Sequence, residues 1–154
     1  MAELTDRLNT AGFENIRSYI QSGNILFHAG SKDCPQLAMQ ISQLINQYFN
    51  LQITVVVISK SDWRNIMRAA PQNWGKATNQ KHNLLILVPP YDRGLILASI
   101  EPLDMNVETI TAGEGVLYQS MSLELIGVTT TSKLKTRQMT VRSYTTALKL
   151  LSLL

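Results

Sequence analysis

The sequence predicts an α+β protein with two ferredoxin-like (β-α-β-β-α-β) repeats in tandem, the first of which lacks its opening strand. Residues 12–27 have the pattern of a β-hairpin, and the segment 71–82, rich in Asn, Gln and Gly and without periodicity, is typical of a linker. The predicted elements on the two sides of this linker follow the same order, apart from one missing strand. We therefore expect a first half at residues 1–70, the linker at 71–82, and a second half with a C-terminal helix at 83–154.

The first half begins with a short helix and the hairpin. Residues 2–11 place Leu4 and Leu8 on one stripe, and Gly12 suits the left-handed residue that ends such a helix. In the hairpin the turn falls in residues 22–24, and the period of two predicts one apolar and one polar face, whichever two residues form the loop. The apolar face holds Ile16, Ser18, Ile20, Ile25 and Phe27, and the other face holds Arg17, Tyr19, Gln21, Leu26 and His28.

A helix, a strand and a second helix complete the first half. Asp33 and Pro35 mark the start of a helix that continues to about Phe49 with an apolar face. The nearly continuous β-branched run at 52–58 is typical of a strand that is buried on both faces. Ser61 is a suitable N-cap for the helix that precedes the linker.

The second half repeats this order and adds the opening strand. Strands alternate with helices, glycines separate the two middle strands, and the segment from Ser120 to Val128 has an ambiguous pattern. The predicted elements are a strand at 83–88, a helix at about 91–100, strands at about 105–111 and 116–119, an extended segment at 133–142 and a closing helix at 143–153.

The composition indicates a globular protein. Hydrophobic residues make up 45% of the chain, and the net charge of +3 is ordinary for a small domain, so it is weak support for a nucleic-acid partner. Cys34 is the single cysteine, which excludes an intramolecular disulfide and a multi-cysteine metal site. No signal-peptide pattern is present, and no run approaches the roughly 20 apolar residues of a membrane span. We therefore expect a cytoplasmic location and no membrane partner.

Motifs that carry catalysis or hold a cofactor are missing from the sequence. It contains no nucleophile elbow, phosphate-binding Walker loop, zinc-binding H-E-x-x-H or dinucleotide fingerprint. His28 and His82 have no metal-ligand spacing, and we expect them at the surface or at strand edges. The sequence thus predicts no cofactor and no metal, and it leaves an enzymatic role uncertain.

The polar face of the hairpin is the first candidate site. Arg17, Tyr19 and Gln21, with Asn24 in the turn, would offer a cation, a ring and amides on an open sheet, where bases or a ligand could stack. In the alternative interpretation the other half covers this face. Tyr19 then packs between the halves, while Gln21 and Asn24 stabilise the turn.

The basic C-terminal segment is the second candidate site. After Glu124 the chain has no acidic residue, and in an extended segment Lys133, Lys135 and Arg137 would share one face that could meet an anionic ligand or a phosphate backbone. Arg142 follows on the same segment. The alternative is a solvated strand edge that lysine protects against aggregation.

Two segments resemble a known bacterial family. Residues 12–27, G-F-E-N-I-R-S-Y-I-Q-S-G-N-I-L-F, closely resemble G-F-[EST]-N-V-[RK]-T-Y-I-Q-S-G-N-V-x-F of the domain-of-unknown-function family 1697 (DUF1697). Residues 140–150 resemble that family's T-x-R-N-x-N-T-x-x-K-L, with Ser143 and Thr145 where the family has Asn. Arg142 matches the family's arginine. The resemblance implies a bacterial protein with two ferredoxin-like halves and without an established activity.

The same resemblance implies a missing N-terminal segment. Family members generally begin with a hydrophobic strand and an R-G-I-N-V-G-G loop, which precede the helix that starts here at Met1. Losing a central strand would leave about five backbone groups unpaired, which costs on the order of 10 kcal/mol. We therefore expect a truncated or mis-started gene product, an expectation that an upstream coding sequence without such a segment would contradict.

These observations favour a non-enzymatic binding module for a small anionic ligand or a protein partner. A nucleic-acid-binding module that uses the basic C-terminal segment is the second hypothesis. Salt-dependent retention on a polyanion, lost when Lys133, Lys135 and Arg137 are neutralised, would distinguish it. The third is an enzyme of unknown reaction whose site needs the missing N-terminus.

Overall fold

The computed structural model of the chain describes residues 2–19, 23–100, 104–128 and 139–154. It is a mixed α+β structure with antiparallel sheets, and it divides into a first unit, Met1–Ser59, and a second unit, Lys60–Leu154. The elements are α1 (Ala2–Thr10), β1 (Glu14–Tyr19), β2 (Asn24–His28), α2 (Cys34–Phe49), α3 (Lys60–Arg68), β3 (Gln80–Leu87), α4 (Arg93–Ile100), β4 (Glu108–Ala112), β5 (Val116–Ser122), a 3-10 helix (Leu123–Val128), β6 (Met139–Ser143) and α5 (Tyr144–Leu153). Within the described ranges, no helix has the length and hydrophobicity that a membrane span needs.

Local sequence signals determine the end of α1 and the start of α2. Gly12 has a φ of 90°, and the amide of Phe13 donates back to the Leu8 carbonyl at 3.1 Å, which closes α1 with a left-handed residue. At the start of α2, the Asp33 carboxylate accepts from the backbone amide of Gln36 at 2.9 Å. Both helix ends agree with the predicted caps.

The hairpin of the first unit keeps its predicted faces in a different register. Tyr19 lies opposite Asn24 and Ser18 opposite Ile25, so Asn24 belongs to β2 rather than to the turn. The register differs from the predicted one by an even number of residues, so residues 17–19 and 24–26 stay on their expected faces, while the pairing is irregular between Glu14 and Arg17. The apolar face packs on the core of the first unit, which contains Leu8, Phe13, Leu37, Ile41, Leu44 and Ile45.

The predicted strand at 52–58 is not a strand in the structure. Residues 51–59 have no regular structure, and the described sheet of the first unit contains only β1 and β2. Val55 and Val57 still pack against the core, whereas Ile53 is 49% exposed. The β-branched run therefore brings two valines to the core, but a strand also needs a neighbouring strand with which its backbone can pair.

The second unit is built on a four-stranded antiparallel sheet in the order β4-β5-β3-β6. On one face Leu85, Leu87, Leu117 and Met139 form a core with Ile96 of α4. The opposite face carries the side chains that alternate with these, and α5 contacts β3 and β6. Both faces of this sheet are thus covered by helices.

Residues 71–82, predicted to be a linker, lie inside the second unit, and β3 begins within them at Gln80. The indole nitrogen of the buried Trp74 donates to the Gln119 carbonyl at 3.0 Å. The boundary between the units falls after Ser59, so α3 also belongs to the second unit. Residues 71–79 lie outside the helices and strands, and one buried tryptophan attaches them to the sheet.

Candidate functional site

Tyr118 and Trp63 attach α3 to the rest of the second unit. The Tyr118 hydroxyl donates to the Ile66 carbonyl at 2.6 Å. That carbonyl lies in the last turn of α3, where backbone acceptors have no partner within the helix. The indole nitrogen of Trp63 donates to the Ala147 carbonyl of α5 at 3.4 Å. The Trp63 bond thus connects α3 to α5, and the Tyr118 bond connects α3 to β5. Burial raises the pKa of Tyr118, so its hydroxyl keeps its proton.

An aromatic cluster forms the floor beside these two helices. The Trp74 ring lies 5.3 Å from the Tyr118 ring and 4.9 Å from the Tyr144 ring, both in edge-to-face geometry. Gly75 follows with a φ of 83°, and the Tyr144 ring occupies the space where a Cβ atom would lie. A glycine is therefore required for the close approach of Tyr144.

A groove of about 540 Å³ opens above this cluster. We call it the α3–α5 groove, because helix residues of α3 and α5 form most of its lining. Its residues are Arg64, Met67, Arg68, Ala70, Pro71, Trp74, Tyr144, Leu148 and Leu151. Leu148 at its rim is 41% exposed.

The α3–α5 groove combines two cations with an apolar wall. Arg64 and Arg68 are one helical turn apart on α3, and both are exposed. The Arg68 guanidinium donates to the Asn65 side-chain oxygen at 3.4 Å. Among the described residues that line the groove, none is acidic. The groove can therefore attract an anion and bury an apolar group attached to it.

The predicted hairpin site lies in the first unit, and the described residues place three of its members there. Arg17 is exposed opposite Leu26, and Tyr19 is half-buried. Asn24 is buried, and its side-chain amide donates to the Tyr19 carbonyl at 3.3 Å. This bond supports the local structural role that the sequence left open for Asn24. Gln21 lies outside the described residues.

The predicted basic segment is described only at its end. Lys133, Lys135 and Arg137 lie outside the described residues. Arg142 is half-buried on β6, where burial lowers the pKa of its guanidinium. That group donates to the Thr140 hydroxyl and to the Val141 carbonyl, each at 2.8 Å, so part of its hydrogen-bonding capacity is used within its own strand.

His82 is an interior residue, contrary to the predicted surface or strand-edge position. It is 7% exposed on β3, which has a neighbouring strand on each side. Its Nε2 atom lies 3.2 Å from the Ala77 carbonyl, which can only accept, and its Nδ1 atom lies 2.8 Å from the Ser120 hydroxyl. Since the carbonyl accepts, the Nε2 atom donates its proton to Ala77, and the Nδ1 atom shares a hydrogen bond with the Ser120 hydroxyl. This histidine connects two strands and a loop.

A buried polar chain was missed by the sequence analysis. The side-chain amide of Asn83 donates to the side-chain oxygen of Gln119 at 3.0 Å, and the side-chain amide of Gln119 donates to the Glu108 carboxylate at 2.7 Å. Gln119 and Glu108 are each only 1% exposed. Polar residues inside predicted strands were the available signal, but only the register brings them together. Within the described ranges no group of three metal-ligating side chains is present.

Arg64, Arg68 and Tyr144 were also not among the predicted site residues. Their helices could be predicted, yet the sequence contains no signal that α3 and α5 would lie side by side, because the two helices are far apart along the chain. Arginines on a predicted helix usually lie on its solvated face, so the presence of Arg64 and Arg68 on α3 did not indicate a site.

Comparisons with known proteins identify a family and a fold. The family model described as "Protein of unknown function (DUF1697)" matches residues 1–118. The solved structure of the conserved bacterial protein SP0830 from Streptococcus pneumoniae is similar, with a TM-score of 0.84, 99% of this chain and 87% of that chain covered, and 23% sequence identity. At this identity the similarity concerns the fold. No curated protein matches the chain.

Proposed function

Since the chain belongs to the DUF1697 family, whose function is unknown, we propose that it is a non-enzymatic binding module for a small anionic ligand. The ligand would occupy the α3–α5 groove. The observation that carries this proposal is the pair Arg64 and Arg68 above an apolar and aromatic wall without an acidic lining residue among those described.

The size and chemistry of the groove support this function. Its volume of about 540 Å³ lies within the roughly 300–1,000 Å³ that is typical of small-molecule sites. Guanidinium groups bind carboxylate, sulfonate and phosphate oxygens through paired N–H donors. The half-buried side chains of Met67 and Leu151 gain from apolar contact with the ligand.

The histidines of the described residues favour binding over catalysis. His82 uses both ring nitrogens inside the second unit. His28 is exposed, and its Nδ1 atom lies 2.9 Å from the side-chain amide of Asn15. Neither histidine lines the α3–α5 groove. A general base beside a bound ligand would need a different group.

We also propose that the two units are ferredoxin-like repeats. In the second unit the order β4-β5-β3-β6 supports this. Its first strand, β3, lies between β5 and β6, which are its third and fourth strands, as in a ferredoxin-like fold. In the first unit, α1, β1, β2 and α2 follow the order of α4, β4, β5 and the 3-10 helix. The run at 52–58 would then correspond to β6.

A fluorescence titration with anilinonaphthalene sulfonate, an aromatic anion, tests the proposed binding function. We expect the double variant Arg64→Gln/Arg68→Gln to bind this dye about tenfold more weakly, because charge-assisted hydrogen bonds are lost. The matched control is Lys60→Gln/Lys76→Gln, which removes two exposed charges of the second unit outside the groove. Equal affinities of the two double variants, or no binding by the wild-type protein, would contradict the proposal.

A further inference from the structure

We infer that the ligand of the α3–α5 groove is a phosphate monoester with an apolar body. The dianionic phosphate would lie between Arg64 and Arg68, and the body would lie against the apolar wall. This inference rests on the proposed function, since it names the ligand class of that same groove.

The two arginines favour a doubly charged group. Residues one turn apart on a helix have Cβ atoms roughly 5–6 Å apart, so two guanidinium groups can reach one tetrahedral anion. The described lining residues carry two positive charges and no negative charge. A carboxylate or sulfonate would neutralise one of these charges, whereas a phosphate dianion neutralises both. Its three terminal oxygens also offer enough acceptors for two guanidinium forks.

The wall favours an apolar body attached to that phosphate. Met67, Leu148 and Leu151 offer no hydrogen-bond partner, and the volume of about 540 Å³ exceeds that of a phosphate ion alone. Hydroxyl groups of a sugar would lose their water there without replacement, which is unfavourable. Tyr144 is held in place by Trp74 and Gly75, so the wall is formed before the ligand binds.

Isothermal titration calorimetry on the full chain with three probes tests the inference. The probes are phenyl phosphate, benzenesulfonate and glucose 6-phosphate. At pH 7.5 we expect phenyl phosphate to bind on the order of tenfold more tightly than each of the other two. Its affinity should fall as the pH drops through about 6, where a phosphate monoester gains its second proton, while that of benzenesulfonate should not change.

Single variants connect this preference to the arginine pair. Arg64→Gln and Arg68→Gln should each reduce the preference for phenyl phosphate over benzenesulfonate to about twofold or less, on the order of one lost charge-assisted bond. Lys60→Gln, on the same helix but outside the groove, should keep the wild-type preference. All three positions are exposed, so the variants are expected to fold.

The outcomes separate the inference from the proposed function. If none of the probes binds and the sulfonate dye does not bind either, the groove is not an anion site and both proposals fail. If phenyl phosphate and benzenesulfonate bind equally at every pH, the binding module stands and the phosphate assignment is wrong. If glucose 6-phosphate binds as tightly as phenyl phosphate, the requirement for an apolar body is wrong.

Discussion

Gly75 shows how a single residue determines the wall of the groove. Its φ of 83° is in the region that L-residues rarely adopt, and the Tyr144 ring lies directly over it. In Gly75→Ala the new methyl group must displace that ring, and the backbone becomes strained. The position of Tyr144, which lines the groove, therefore depends on the lack of a side chain at Gly75.

We predict that Gly75→Ala lowers the free energy of unfolding of the second unit by about 2–4 kcal/mol, the sum of left-handed strain and overpacking. Urea denaturation followed by tryptophan fluorescence measures this, since Trp63 and Trp74 both lie in the second unit. The control is Gly94→Ala in α4, where the nearest atom is a flexible carboxylate oxygen at 3.2 Å. That variant should be neutral or stabilising. Equal losses in the two variants would refute the role of Gly75.

Tyr118 is the second residue on which the site depends, because it donates to the last turn of α3. We predict that Tyr118→Phe lowers the free energy of unfolding by about 1–2 kcal/mol, since the Ile66 carbonyl loses its donor. The same tryptophan fluorescence measurement applies. An unchanged midpoint would mean that water replaces the hydroxyl without cost.

The pH dependence of stability provides an independent check on Tyr118. Burial raises the pKa of this phenol above 10.0 in the folded protein, so above pH 10 the unfolded chain loses the proton more readily than the folded chain. Stability should therefore decline as the pH rises beyond 10. The decline should be smaller in Tyr118→Phe, and identical slopes in the two proteins would contradict the assignment.

Among the elements, α2 illustrates what local chemistry can decide. Its N-cap, its proline in the first turn and its apolar face were all readable from the sequence, and the structure has the helix at Cys34–Phe49 with Asp33 as the cap. These features involve residues within a few positions of one another. Their physical causes do not depend on the rest of the chain.

We predict that Asp33→Ala lowers the stability of α2 by about 1 kcal/mol, because the Gln36 amide loses its acceptor. Hydrogen exchange of the Ile41 and Ile45 amides should then be roughly fivefold faster. Asp33→Ser, which keeps a capping oxygen, is the control and should exchange at nearly the wild-type rate. Equal acceleration in both variants would exclude the cap as the cause.

Residues 52–58 illustrate that a strand needs a pairing partner from another part of the chain. The β-branched residues among them predict a strand, and Val55 and Val57 do reach the core. Backbone pairing requires a neighbour, and in the described first unit the only pairing is that of β1 with β2. The register of the hairpin is a related case. The apolar pattern determined only the faces of the strands, so it was compatible with a register that differs from the predicted one by an even number of residues.

At the scale of the whole molecule, the chain separates into two units, and the candidate site lies within the second unit alone. The family resemblance read from residues 12–27 is confirmed by the match over residues 1–118. The mixed α+β class is confirmed as well. Of the two segments that carried the resemblance, residues 12–27 lie in the first unit, whereas residues 140–150 lie in the second unit and include Tyr144 and Leu148 of the groove.

By itself the sequence determined the class of fold, the helices, the caps at Gly12 and Asp33, the faces of the hairpin and the family, because each depends on residues close together along the chain. The predicted cap Ser61 was wrong, since it lies inside α3. The tertiary structure decided which strands pair, that residues 71–82 belong to a folded unit, and that Arg64 and Arg68 lie beside Tyr144 and Leu148. The physical reason is the distance along the chain over which each sequence signal acts. Periodicity records which side of an element is apolar, but it contains no information on which distant element will cover that side.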